Sequence, residues 1–360
     1  MASVEWGKYR IDDLFKIQTS AKRFDANKVN IIENGRYPYV VRTSSNNGQK
    51  GFLDENESFL NAGNTISFGQ DTATIFYQEK PYFTGDKIKV LVPKVYKFNK
   101  KNAQFFLASM NIAFSKFSWG SSRFNVDLLK EQVIMLPTKC DSIDFEFMES
   151  FIEELEAERI EELEAYLSVS GLKDTQLTAD ELSALDKFNS IKWKKFNLET
   201  LFGKSTRGKR LKGDDRIGGN LPFVTAGETD EGISAFISND VEIFSSNTTT
   251  IDMFGSAKYR NYNYGADDHI AVVHTENLSK YAAIFVTSAC HKSAHNGDFS
   301  YSRNFYAKDA DKLYISLPVK NEQPDYELMS TLISAMQKLV IADVVKFSDE
   351  KIKATKQVVG

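Results

Sequence analysis

The chain is poor in the residues that mark several common protein classes. Two cysteines among 360 residues, Cys140 and Cys290, cannot build a disulfide framework, and no C-x-x-C pair is available to seat zinc. The 7 prolines are never adjacent, so the Asn/Asp-Pro-Pro-Tyr/Phe catalytic turn of a methyltransferase is missing. A Walker A loop is missing too, which excludes an ATP-driven motor. The opening MASVEWGKYRIDD lacks the charged start and apolar core of a secretion signal. No run reaches 18 uninterrupted apolar residues, which rules out a membrane span on this criterion. A cytoplasmic protein with no membrane partner is expected.

Histidine is confined to the second half, at His269, His274, His291 and His295. His291 and His295 are spaced to share one helix face beside Cys290, which could hold a metal. The first half has no counterpart, so surface histidines and no metal site are expected, and no Ser-His-Asp triad can be assembled. Asp349-Glu-Lys351 matches only the end of a nuclease carboxylate–lysine motif, without the strand that should precede it.

What is abundant points elsewhere. Aromatic residues make up 12%, with 27 Phe and 15 Tyr, and favour sheet-rich packing. A hydrophobic share of 42% with 26% charged residues is globular, and the length suits two or three domains. The net charge of −4 hides a strong segregation. Residues 1–137 carry 19 Lys+Arg against 13 Asp+Glu, whereas residues 141–189 carry 3 against 15. A polyanionic partner is therefore compatible with a pI of 5.8, because one segment holds the excess acid.

The sequence is written twice. Trp6-Gly-Lys-Tyr-Arg-Ile-Asp-Asp-Leu-Phe15 returns as Trp193-Lys-Lys-Phe-Asn-Leu-Glu-Thr-Leu-Phe202. Tyr37-Pro-Tyr-Val-Val41 returns as Leu221-Pro-Phe-Val-Thr225, and Gly85-Asp-Lys-Ile-Lys-Val-Leu91 as Asp267-Asp-His-Ile-Ala-Val-Val273. Ser122-Arg123 answers to Ser302-Arg303, Leu136-Pro137 to Leu317-Pro318, and Asp144-Phe-Glu-Phe-Met-Glu149 to Asp325-Tyr-Glu-Leu-Met-Ser330. Six matches in one order, with only a small drift in spacing, describe two copies of one unit.

Within each copy, strand-sized runs come first. In the first they are 39–41, 64–68, 73–77, 87–91 and 132–136, with a short helix at 102–110 that is echoed at 281–289. A long helix follows. From Asp144, a plausible N-cap, to Leu167 no Gly or Pro intervenes, and apolar residues form one stripe among glutamates. The second helix runs from Asp325, with a seam expected at Met329, Ile333, Met336 and Val340. Two equivalent helices favour packing on each other. Residues 171–190 read as a polar, acidic connector.

This layout resembles the specificity subunits of type I restriction–modification systems and the closely similar type IIB subunits. The repeated Trp-x-x-x-x-Leu/Ile-x-x-Leu-Phe opening carries the resemblance, together with the Leu-Pro exit and the Asp-Phe/Tyr-Glu-Phe/Leu-Met helix start. It implies an α+β fold with two sheet-rich target recognition domains, residues 1–140 and 191–320. A first spacer helix and connector at 141–190 and a second helix at 321–360 would pair as an antiparallel coiled coil with pseudo-twofold symmetry. The seam would include Met148, Ile152 and Leu155 on the first helix. It further implies a non-catalytic reader of a bipartite double-stranded DNA target. Its helices would dock methyltransferase subunits, two per chain, with restriction endonuclease subunits as possible further partners. S-adenosylmethionine, and Mg and ATP where a nuclease joins, would belong to those partners, with no cofactor in this chain.

The residues supply candidates for DNA contact. Lys22-Arg23 and Arg207-Gly-Lys209-Arg210 occupy the same repeat position after the Leu-Phe opening, and Arg207 to Lys212 is the densest basic stretch. A basic cluster is usually just a solvated face, but recurrence at one position points to phosphate contact. Arg42, Ser44, Ser45, Asn46, Asn47 and Lys50 form a loop rich in donors and acceptors suited to base edges, which would otherwise be an ordinary hairpin loop. Ser121 and Arg123 match Ser302, Arg303 and Asn304, while Lys258, Arg260 and Tyr262 interleave basic and aromatic residues. A tandem binder of a glycan or protein is the alternative, and the long acidic helix speaks against it.

Overall fold

The computed structural model describes residues 4–115 and 126–359, with side chains through residue 353. It divides into two compact units, Met1–Glu162 and Leu163–Gly360. The first contains β1 (Glu5–Arg10), α1 (Ile11–Leu14), β2 (Phe15–Thr19), β3 (Tyr37–Val40), β4 (Gln49–Leu53), β5 (Thr65–Gly69), β6 (Ile75–Gln78), β7 (Phe83–Thr84) and β8 (Ile88–Pro93). Then come α2 (Ala103–Phe114), α3 (Val126–Glu131), β9 (Val133–Lys139), β10 (Ser142–Ile143) and α4 (Phe145–Val169), whose last turns belong to the second unit. The strands form three small sheets in the orders β1-β9-β10, β2-β8-β5-β6 and β4-β3-β7. All five strand-sized runs and the short helix of the sequence reading fall on these elements.

The core explains why these segments fold as they do. β5 lies between β8 and β6, and all five of its residues are buried, so it reads as a continuous run without alternation. On α2, Phe106, Met110 and Phe114 recur every four residues and are buried against Phe15, Phe68, Leu91 and Ile134. Phe15 meets Phe98 and Phe106 edge-on, with ring centroids 5.5 and 5.7 Å apart. Each such pair contributes about 0.5–1.5 kcal/mol beyond its buried area.

The second unit opens with α5 (Ala179–Asp186) and continues with β11 (Trp193–Asn197), α6 (Leu198–Phe202), β12 (Thr206–Arg207), β13 (Gly218–Val224), β14 (Ile233–Ile237) and β15 (Thr248–Asp252). It closes with β16 (Ala257–Arg260), β17 (Gly265–Ala266), β18 (Ile270–Val273), α7 (Lys280–Ala294), α8 (Ala307–Asp311), β19 (Tyr314–Lys320), β20 (Gln323–Pro324) and α9 (Tyr326–Val359). Its sheets run β11-β19-β20, β12-β18-β15-β16 and β14-β13-β17, the same orders as in the first unit.

The repetition extends to individual bonds. Trp6 faces Pro137 across β1 and β9, and Trp193 faces Pro318 across β11 and β19. Asp144 caps α4 by accepting from the Phe147 amide at 3.0 Å, as Asp325 caps α9 by accepting from Leu328 at 3.0 Å. Buried Tyr82 shares a hydrogen bond with Thr65 at 3.2 Å, and buried Tyr264 one with Thr248 at 2.9 Å. Burial pushes both phenols far above their ordinary value.

The connector is not plain. Residues 179–186 form α5, started by a capping box in which Thr178 and Glu181 exchange side-chain-to-backbone hydrogen bonds. Within the second unit, Glu164 lies beside Ser348, Gln176 accepts from Lys338, and Glu181 accepts from Ser334. The chain from 164 to 181 therefore runs antiparallel to α9.

Two expectations about α9 need correction. Its buried stripe is Met329, Leu332, Ala335, Val345 and Ser348, whereas Met336 is 52% and Val340 79% exposed. Met329, like Met148 on α4, is fully buried in the core of its own unit. Ile333 and Ile152 are half-buried, and Leu155 is exposed. Within the second unit α9 packs on α7 and α5, so the face it buries there is not the one that the heptad spacing marks. The other correction concerns the membrane. Tyr326–Lys353 is long and apolar enough to cross one, with mean hydropathy 1.5 in its best 18-residue window, so the lack of an unbroken run excluded too much. Here one side of the helix is buried in the second unit through Met329, Leu332, Ala335 and Val345, and Lys338 at its middle is held by ion pairs.

Candidate nucleic-acid interface

Both basic segments lie along the short parallel strand at the edge of the third sheet. Phe24 donates its amide to the Thr84 carbonyl at 2.9 Å, and Arg23 forms a bridge with the same residue of β7. In the second unit, Gly208 presses so closely on Ala266 of β17 that a Cβ there would stand 1.6 Å from the Ala266 carbonyl oxygen. Glycine is required by that close approach. The recurrence seen in sequence is thus a recurrence in space.

The surroundings differ. Lys22 stands 3.7 Å from Glu55 and lies over the Phe24 and Phe59 rings, while Arg23 stands 3.2 Å from Asp86. Arg42 and Lys87 share Asp71 at 2.5 and 2.7 Å. Arg23, Asp25, Asn27, Arg42, Thr72 and Asp86 line a cleft of about 700 Å³ in which positive and negative groups alternate. Arg207, Lys209 and Arg210 are exposed, and among the described residues none is in an ion pair.

The loop at 42–50 is more structural than its composition implies. Asn46, Asn47 and Gly48 adopt left-handed backbone with φ of 48°, 52° and 75°. Asp230, Glu231 and Gly232 repeat that turn at 48°, 55° and 80°. The Asn47 side-chain amide donates to the Tyr77 carbonyl at 3.0 Å, and that of Asn46 to Gln49 at 3.2 Å. These amides help to hold the turn, while both side chains remain exposed. Ser44, Ser45 and Lys50 remain exposed.

Arg260 is the clearest correction. It is 1% exposed, and its guanidinium donates to Thr250 Oγ1, the Glu231 carbonyl and the Tyr262 hydroxyl, each at 2.9 Å. Buried, and with three donors committed to protein oxygens, the arginine holds the 230–232 turn and is out of reach of a phosphate. Lys258, 15% exposed, is tied to Glu228 at 3.3 Å and Asp252 at 3.7 Å. Tyr262 is half-buried. Ser302 and Arg303 are exposed, with Arg303 over the Phe299 ring, and Asn304 is half-buried. Ser121 and Arg123 lie outside the described residues.

The histidines gather no metal site with Cys290. His291 and His295 stack at 4.7 Å, and Cys290 is buried, its thiol pushed up to about 12 by burial. Asp267, Asp268 and His269 bring three ligand atoms within 4.8 Å of one another. Burial of Asp267 and its carboxylate neighbour raise its pKa. The corresponding Gly85, Asp86 and Lys87 could not ligate in the same way, so the two copies share no such site.

A sheet-built module given twice, each closed by a long helix and each offering a basic segment on the same strand, defines a tandem recognition protein. The chain belongs to the type I restriction modification DNA specificity domain family, whose model matches residues 3–165 and again 190–344. It is a specificity subunit of a restriction–modification system, and the glycan or protein alternative gives way. Over 94% of its length it is 26% identical to the type II restriction enzyme specificity subunit S.BcgI of Heyndrickxia coagulans, covering 96% of that protein. Its fold is similar to the S subunit of a type I restriction–modification system from M. genitalium, with TM-score 0.64 at 16% identity, covering 99% of this chain and 95% of that one.

Proposed function

We propose that this chain is the non-catalytic, DNA-reading part of a cytoplasmic methyltransferase or endonuclease complex, each unit contacting one half of a bipartite double-stranded target. The observation that carries the reading is the twofold recurrence of a basic segment on the same strand of the same sheet, in a chain of the DNA specificity family. Base contacts would come from the exposed Arg42, Ser44, Ser45 and Lys50, and phosphate contacts from the basic segments. Methyltransferase subunits, one for each copy of the repeat, fit the exposed apolar face of α9, where Met336, Val340, Val344 and Phe347 follow at spacings of four, four and three. S-adenosylmethionine would reside in those subunits, as would Mg and ATP in a nuclease. The test is a methylome comparison of cells with and without the gene. A split motif whose methylation vanishes on deletion is expected, and an unchanged methylome would overturn the proposal.

A further inference from the structure

We infer that the two recognition units divide the work unequally, the second holding the DNA backbone through residues 204–212. The inference rests on the DNA-reading function proposed above. Segment 204–212, KSTRGKRLK, contains five cations and no carboxylate. Lys204, Arg207, Lys209, Arg210 and Lys212 are all exposed, and among the described residues none is in an ion pair. The backbone beneath them is pinned at two points. Arg207 pairs with Ala271 across β12 and β18, and Gly208 packs on the Ala266 carbonyl. A fixed backbone carrying uncompensated positive charge is suited to a regular row of phosphates.

The first unit is built otherwise at the same place. Lys22 and Arg23 face Glu55 and Asp86, Arg42 and Lys87 face Asp71, and Lys28 stands 3.8 Å from Asp25. Surface pairs are weak, about 1 kcal/mol or less, so phosphate could displace them. The carboxylates would nevertheless stay and repel it. Such a charge-balanced cleft suits hydrogen bonding to base edges, whose strength depends little on salt. Each phosphate neutralised adds about 0.9 to the steepness with which log affinity falls against log salt.

The experiment measures binding of the full chain to a labelled duplex of random sequence across a sodium chloride series. Lys209→Ala, Arg210→Ala and Lys212→Ala together should reduce the slope by about 2.7. Lys22→Ala with Arg23→Ala should reduce it by less than about 1. The charge-keeping triple Lys209→Arg, Arg210→Lys and Lys212→Arg should retain the wild-type slope, which separates lost charge from a disturbed loop. Equal reductions from the two alanine variants, or no reduction from the triple, would overturn the division while leaving DNA reading intact. A wild-type chain that fails to bind at low salt would instead remove the DNA-reading function, and the division with it.

Discussion

Lys338 Nζ stands 3.1 Å from Glu181 Oε2, joining the middle of α9 to the first turn of α5 within the second unit. Both side chains are largely buried, at 14% and 7% exposure. Burial alone would raise the Glu181 pKa. Hydrogen bonds from the Ser334 hydroxyl, the Thr178 amide and Lys338 outweigh it and hold the carboxyl down to about 2. Lys338 is correspondingly raised, chiefly by its hydrogen bond to Glu181.

The sign of the pH effect follows. A carboxyl with a depressed folded pKa contributes stability above its ordinary value of 4.5 and loses it as pH falls toward 2. Lys338 contributes in full below its ordinary 10.5, so the pair is intact at neutral pH. Glu181→Gln is expected to cost about 1.5–3 kcal/mol at pH 7, the worth of hydrogen bonds to a charged group. The gap between wild type and variant should close as pH drops from 4.5 toward 2. Thermal melts over that range check it, and a gap independent of pH would refute it.

Arg260→Ala should reduce stability rather than DNA contact. It strips donors from Thr250, the Glu231 carbonyl and Tyr262 in a buried setting, at about 1–3 kcal/mol for each acceptor left unsatisfied. Arg260→Lys should not restore it, because a single ammonium cannot reproduce the fork. Chemical denaturation reads the loss. A variant that melts like wild type but binds DNA less well would return Arg260 to the interface.

Gly208→Ala offers a test of the loop's seat. The new methyl would collide with backbone that has no rotamer to yield, so the 204–212 segment must lift from β17. An overpacking cost of about 1–3 kcal/mol is expected, with weaker DNA binding at low salt. Melting temperature and duplex affinity should fall together. Wild-type affinity in this variant would show that the seat of the loop does not matter.

Much of this was legible in the residues. The doubled openings, the Leu-Pro exits and the Asp caps of α4 and α9 are local signals, and all three recur in space at matching registers. What sequence obscured was context. Arg260 sits in a basic, aromatic stretch that looks like a surface, and only the left-handed turn at 230–232 beneath it reveals a buried strut. Asn46 and Asn47 have the chemistry of base readers, yet asparagine is also what a turn with positive φ prefers. The helix α5 was hidden by acidic composition, although Thr178-x-x-Glu181 is a capping-box signature in plain view.

The corrected stripe on α9 changes how partner docking should be tested. Met329 is fully buried among the sheet and helix residues of the second unit, so Met329→Glu would place an unpaired charge in that core. Loss of the fold, not of assembly, is its expected outcome. Val340 and Phe347 are 79% and 50% exposed on the same helix, and seven residues separate them, about two turns along one face. Val340→Glu with Phe347→Glu removes apolar area from that face without entering the core, so the melting temperature should stay near wild type. If a methyltransferase subunit covers this face, burying two carboxylates against it costs several kcal/mol, enough to lower complex affinity by a factor of a hundred or more. Co-elution of the two proteins on size exclusion, read beside the melt of the isolated chain, distinguishes the cases. Undiminished co-elution of the Val340 and Phe347 double variant would place the partner elsewhere, and a collapsed melt would mean that this face belongs to the fold.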